Sequence, residues 1–266
     1  MNREVIITST SNPKVREVLS LEKPRERRES GLFIIEGLKE VELAIKAGYK
    51  IEYFVRCPDL QPSDQLAKSL NVPEWNVSLS IFSKLAIRES SGGLLAVAGM
   101  RSHSLDDLMV NDKSLFIVLE AVEKPGNLGA VLRTADAAGV SGVIICDNRT
   151  DIYNPNVVRS SLGTLFTIPV AVTDSLSAIH FLQKNKTQIY CTYLGASVPY
   201  DAVDYCKASA IVMGTEATGL SEAWVQAATK NIIIPMSGQI DSMNVSVTAA
   251  VVTFEAIRQR RNSVNR

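Results

Sequence analysis

The amino-acid sequence predicts an α/β protein in two parts, the second built on a mainly parallel sheet with helices on both faces. Two observations predict this. Short apolar runs of strand length alternate with segments of helical spacing along the whole chain. A polar, punctuated stretch at residues 101–113, RSHSLDDLMVNDK, interrupts the alternation once, after which it restarts. Strands that alternate with helices imply parallel pairing, because each return crossover is long enough to hold a helix. The expected division is residues 1–100, a linker at 101–113, and residues 114–266.

In the first part, NPKVREVLSL has helical spacing after an Asn-Pro start, and LFIIEG is a short strand ended by Gly37. LKEVELAIKAGY is an amphipathic helix closed at Gly48, followed by strand IEYFVR. Helical QLAKSL and IFSKLAI lead to a last strand, LLAVAGM. In the second part the strands are LFIVLEAV, GVIICD, FTIPVAV, QIYCTYLG, SAIVMG and NIIIPM. The helices between and after them are LGAVLRTADAAG, NPNVVRSS, SLSAIHFLQK, SEAWVQAAT and a long terminal helix.

The 266 residues suffice for two domains, and a hydrophobic share of 46% supports packed cores. No apolar run approaches the roughly 18 residues of a membrane span, and MNREVIITST has no signal-peptide stretch, so a cytoplasmic protein is expected. Cys57, Cys146, Cys191 and Cys206 form no C-x-x-C pair, which argues against a zinc site and for four buried small hydrophobes. With two histidines, His103 and His180, a His-based mechanism has few candidates. Net charge is +0, yet local charge is uneven. Lys14, Arg16, Lys23, Arg25, Arg27 and Arg28 crowd one segment, and after Glu255 only Arg258, Arg260, Arg261 and Arg266 carry charge. Such patches suit phosphate contacts; a solvated helix face is the ordinary alternative.

Three strand ends in the second part run into unusual polar loops. In LEAVEKPGNLGAVLRTADAAG, Pro125-Gly126 turns the chain and a helix starts near Asn127, with Arg133 six residues on. Its ordinary reading is a βα turn with a surface Arg133–Asp136 pair. G-x-G-x-x-G is absent, which excludes a dinucleotide fingerprint. In IVMGTEATGLSE, Gly214 and Gly219 flank Glu216. In IIIPMSGQIDSMNVSVTAA, a buried helix opens on Asp241, Ser242, Asn244 and Ser246, where Asp241 or Ser242 can satisfy free N–H groups. Ligands of parallel sheets bind at the carboxyl ends of strands, so three such ends outline a site.

EKPGNLGAVLRTADAAG, GTEATGLS and IPMSGQIDSMNVSVTAA resemble the three ordered motifs of the SpoU (TrmH-type) RNA 2′-O-ribose methyltransferases of the SPOUT superfamily, over residues 114–262. The first hundred residues, with FIIEGLKEVELAI, are similar to that family's ribosomal-protein-like substrate-binding domain. The resemblance implies a trefoil-knotted second domain, a homodimer, an RNA substrate, and S-adenosylmethionine held bent in the loops of the knot; no metal is expected. It puts Asn127, Arg133, Glu216, Asn244 and Ser246 at the catalytic site. Backbone groups at Gly214, Ile234, Met236 and Met243 are implied to grip the cofactor. Lys124 stands where the family usually has Asp, which bears on the local turn. Arg133 is a poor literal base, since its pKa exceeds about 12, and is read as a charge that acidifies the 2′-hydroxyl and clamps a phosphate. Lys14, Arg16, Arg25, Arg27 and Arg28 are read as phosphate contacts for RNA. Ribosomal RNA is favoured over transfer RNA. The rival readings are a base-methylating member of the superfamily and a non-catalytic RNA-binding or assembly protein on the same fold.

Overall fold

The computed structural model describes residues 5–61, 63, 65–87, 92–196, 198–215 and 218–264. Along the chain the elements are β1 (Ile6–Ile7), α1 (Pro13–Ser20), α2 (Pro24–Ser30), β2 (Leu32–Glu36), α3 (Leu38–Lys46), β3 (Ile51–Arg56), α4 (Gln65–Leu70), β4 (Glu74–Val77), α5 (Leu79–Leu85) and β5 (Leu94–Gly99). Then come β6 (Leu115–Glu120), α6 (Pro125–Ala138), β7 (Gly142–Cys146), α7 (Pro155–Ser161), β8 (Val170–Thr173) and α8 (Ser175–Lys184). The chain closes with β9 (Gln188–Thr192), β10 (Val198–Pro199), β11 (Ser209–Met213), α9 (Glu222–Ala227), β12 (Lys230–Ile233) and α10 (Val245–Val264). Two compact units result: Met1–Ser102 with Asp151–Thr167, and His103–Thr150 with Ile168–Arg266.

The first unit is a five-stranded mixed sheet in the order β1-β4-β3-β5-β2, with β5 antiparallel to both neighbours. One face buries Ile34, Tyr53, Val55, Leu95 and Val97 against Val15 and Val18 of α1 and Ile81 and Phe82 of α5. An aromatic group joins elements distant in sequence: Phe33 lies 4.4 Å from Tyr153, and Tyr49 lies 5.0 Å from Phe166, centroid to centroid. Each buried ring contributes on the order of 1.5–3 kcal/mol, which accounts for residues 151–167 belonging to this unit. Periodicity alone assigned α7 to the second part, because it lies between two of that part's strands.

The second unit is a seven-stranded sheet in the order β10-β12-β9-β11-β6-β7-β8, parallel throughout its described pairs. Phe116, Val118, Ile144, Val212 and Trp224 belong to its core. β6 and β11 are neighbours near the middle, so the loops that leave their carboxyl ends emerge side by side.

Four elements were not legible in the sequence, each for a physical reason. β1 and β10 have two residues apiece, too few for a period. β4, EWNV, is held by backbone pairing to β3 and β1. α2, PRERRES, has no apolar stripe and is anchored by one buried side chain, Arg27. α6 starts at Pro125, two residues before the expected Asn127, because proline suits the first helical position. Cys57, Cys146 and Cys191 are buried as expected, but Cys206 is only partly so, corrected by its place in the turn before β11.

Candidate active site

The carboxyl end of β6 turns through Ala121, held at φ 52°, into Lys124 and the proline-led first turn of α6. That turn presents Asn127, whose Oδ1 accepts a hydrogen bond from Asn244 Nδ2 at 3.1 Å. Asn244 Oδ1 in turn accepts from the Ser246 amide at 3.0 Å and the Ser246 hydroxyl at 2.6 Å. Its carbonyl accepts from the Val247 and Thr248 amides. Three residues expected at the catalytic site, Asn127, Asn244 and Ser246, therefore form one hydrogen-bonded string.

The same string corrects the expected cap. Neither Asp241 nor Ser242 bonds to an amide of the first turn of α10. The Ser242 hydroxyl donates to Asp241 Oδ1 at 3.2 Å instead, while Asn244 satisfies the helix start. A cap two residues before its partner amide fits the geometry of the turn, which Asp241 stands too far back to share. The polar opening of a core helix thus holds its own end and faces the site at once.

Beside the string lies a cleft of about 650 Å³, bordered by Gly214, Ile234, Met236, Met243, Asn244 and Lys124. All four residues expected to hold the cofactor line it. Thr215 and Gly219 exchange backbone hydrogen bonds of 3.0 and 3.1 Å, closing the loop after β11 into a tight turn. A Cβ on Gly214 would overlap the Gly219 carbonyl. The main chain from Ile234 to Met243 makes no hydrogen bond to another described residue, so its amides and carbonyls are open to a ligand. Arg133 is exposed on α6, and among the described residues it has no hydrogen-bond or ion-pair partner. The surface pair with Asp136 is not formed. Glu216 lies outside the described residues.

A buried polar network underlies these loops, and the sequence reading missed it. Glu120, at the end of β6 and 7% exposed, accepts the Ser221 amide at 2.8 Å. Its other oxygen lies 3.2 Å from the Ser175 hydroxyl, which also contacts Asp147 Oδ2 at 2.5 Å and receives the Trp224 indole N–H at 2.9 Å. Burial, then the Asp147 and Glu120 carboxylates, push the neighbouring Cys146 thiol up, so it stays neutral. The available signal was an acid closing an otherwise apolar strand, LFIVLE.

The basic segment divides. Lys14, Arg16, Arg25 and Arg28 are exposed; Lys14 Nζ sits 4.3 Å over the Trp75 ring, and Arg25 pairs with Glu29 at 2.7 Å. Arg27 does not belong with them. It is 0% exposed, 2.7 Å from Asp151, and donates to the Leu21 and Glu22 carbonyls. A guanidinium so enclosed cannot meet a phosphate, and its expected role is corrected to a structural one. Arg27→Ala is expected to cost about 3 kcal/mol, the low end for breaking a buried pair because Asp151 keeps some solvent. Arg28→Glu leaves stability within about 0.5 kcal/mol, and denaturant unfolding of both variants checks this. At the other terminus, Arg260 donates to the carbonyls of Lys113, Ser114, Tyr205 and Lys207, and burial lowers its pKa. Arg258 is bound to Glu255 at 2.7 Å. That patch is largely committed within the chain.

Comparison with known proteins identifies the family of the chain. Residues 114–254 match the family model described as the SpoU rRNA Methylase family, and residues 12–96 match one described as the MRM3-like substrate binding domain. The chain is 30% identical to the 23S rRNA (guanosine(2553)-2′-O)-methyltransferase RlmP of Bacillus subtilis, over 93% of this chain and 97% of that one. It is 26% identical to the 23S rRNA (uridine(2479)-2′-O)-methyltransferase of Streptomyces viridochromogenes, over 88% and 85%. The solved AdoMet-bound rRNA methyltransferase from Sinorhizobium meliloti superposes with a TM-score of 0.87 at 30% identity, covering 96% of this chain and 97% of that one.

Proposed function

Because the chain belongs to the SpoU rRNA methylase family, we propose that it methylates a ribose 2′-hydroxyl of ribosomal RNA with S-adenosylmethionine. The observation that carries this reading is the Asn127–Asn244–Ser246 string at the edge of the cleft. The residues present fit the cofactor. A glycine whose Cβ has no room, apolar walls and an unpaired main chain suit an adenosine gripped by backbone groups at Gly214, Ile234, Met236 and Met243. When bound, S-adenosylmethionine supplies a methyl group already activated on sulfonium, so positioning is the main task left to the protein.

Asn127 and Asn244 hold each other and orient the ribose. Ser246 fixes the Asn244 amide by occupying its oxygen. Arg133, a free cation among the described residues, lowers the pKa of the 2′-hydroxyl and clamps a flanking phosphate; the proton leaves to water or a phosphate oxygen. Glu216 keeps its assignment from the motif alone. The first unit supplies RNA affinity through Lys14, Arg16, Arg25 and Arg28, which fits the substrate-binding model it matches. Incubation with labelled cofactor and ribosomal RNA, followed by nucleoside analysis, tests the reading. A 2′-O-methyl nucleoside is expected; a methylated base, or label in transfer RNA alone, overturns it.

The long terminal helix packs on α6 and leaves Val247, Ala250, Val251 and Phe254 along one side, with Val247 and Phe254 each 47% exposed. An apolar stripe of that kind supports a homodimer through the second unit, and the trefoil knot rests on membership of the family alone. Phe254→Glu is expected to convert a micromolar dimer to monomer by light scattering. A monomeric wild type is the contrary result. No helix among the described residues is long and apolar enough to cross a membrane; the likeness to a bacterial 23S rRNA methyltransferase supports a place in the cytoplasm.

A further inference from the structure

Among the described residues that line the cleft, only two carry charge: Lys124 and Asp241. Each stands three residues before one of the two asparagines that hydrogen-bond to each other, Lys124 before Asn127 and Asp241 before Asn244. The remaining lining is apolar or neutral, with Met213, Ile232, Ile234 and Met243 among it. One cation and one anion therefore stand among the described walls of the cleft, which are otherwise uncharged.

The chemistry of the ligand matches this distribution. The adenosine part carries no charge and suits the apolar walls and the unpaired main chain. The amino-acid part carries a carboxylate and an ammonium on one carbon, three carbons from the sulfur. On the proposed reading the sulfur would lie beside Asn127 and Asn244, and the amino-acid part would then lie near side chains close to that pair in the chain. A cation and an anion there complement a zwitterion, where two charges of one sign would not.

We propose that Lys124 binds the carboxylate and Asp241 the ammonium of the amino-acid end of S-adenosylmethionine, a subsite that rests on the methyltransferase reading. Lys124 is exposed and borders the cleft, and an ammonium has three N–H donors to share among acceptors. The Ser242 hydroxyl donates to Asp241 Oδ1 at 3.2 Å, which leaves Oδ2 to accept from an ammonium. Both groups face solvent, so the contribution is modest. Loss of either charge weakens binding about five-fold, the upper range for an exposed ion pair.

The test is calorimetry with two uncharged-sulfur probes: S-adenosylhomocysteine, which keeps the amino-acid end, and methylthioadenosine, which lacks it. Wild type should bind the first more tightly. Lys124→Ala and Asp241→Asn should each weaken S-adenosylhomocysteine about five-fold and leave methylthioadenosine unchanged. Lys124→Arg, which keeps the charge, should restore most of the loss. Equal weakening of both probes would mean a disturbed loop and would overturn the subsite. So would unchanged S-adenosylhomocysteine binding with a shallower salt dependence of RNA affinity, which would make Lys124 a phosphate contact. If wild type binds neither probe, the cofactor reading itself falls, and it does so without any variant.

Discussion

Replacing Arg133 by alanine is expected to slow methyl transfer about a thousand-fold, the scale of removing one preorganised charge donor, while cofactor affinity stays within about two-fold of wild type. The two halves of this expectation come from different places in the structure. Arg133 does not border the cleft, whose lining comes from the loops after β6, β9, β11 and β12 and from the start of α10. It is exposed on α6, and its removal breaks no hydrogen bond or ion pair with a described residue. Stability should therefore move by less than about 0.5 kcal/mol. The charge matters only when a 2′-hydroxyl and its flanking phosphate are present. Arg133→Lys separates the two roles proposed for it: a point charge still acidifies the hydroxyl but cannot clamp phosphate through a planar fork. It should recover part of the rate and show weaker RNA binding. Single-turnover kinetics and calorimetry on both variants decide the matter. Near-native turnover in Arg133→Ala would remove the residue from the mechanism.

Much of the site was legible because its residues break a local rule. A helix buried in a core has no need of Asn244 and Ser246 at its start, and a strand end has no need of Gly214 beside Gly219. Such departures point to a ligand. What was not legible depends on path. The choice of Asn244 over Asp241 as the cap follows from how residues 234–243 approach α10, and no periodicity encodes that approach. Arg27 and Arg28 are adjacent letters of one charge, yet one is enclosed by Asp151 and two carbonyls and the other faces water. Their difference is set by a residue 124 positions away. Glu120 shows the same limit. An acid ending a strand reads as a solvated terminus, and only the convergence of Ser175, Ser221 and Trp224 makes it a buried anchor for the loop after β11.

That loop sets the second large effect. Gly214→Ala is expected to weaken S-adenosylmethionine binding about a hundred-fold. The added methyl would overlap the Gly219 carbonyl and stand 2.5 Å from the Leu220 amide nitrogen, and these are backbone atoms that cannot rotate aside. Relief requires opening the Thr215–Gly219 turn, which gives up two backbone hydrogen bonds of about 0.5–1.5 kcal/mol each on top of an overpacking cost of about 1–3 kcal/mol. The open form binds poorly, and apparent affinity falls with the fraction of molecules still closed. The sheet beneath the turn is untouched, so the stability loss stays within that of the two hydrogen bonds, about 1–3 kcal/mol. Gly219→Ala supplies the comparison. Its Cβ would meet nothing within 4 Å, but Gly219 sits at φ 67°, a left-handed conformation that costs a side-chain residue about 1–2 kcal/mol. It should weaken binding only about ten-fold. Calorimetry on the two variants therefore ranks steric overlap above backbone strain. Equal losses, or a Gly214→Ala protein that binds the cofactor as wild type does, would mean that the loop after β11 is not part of the cofactor's grip.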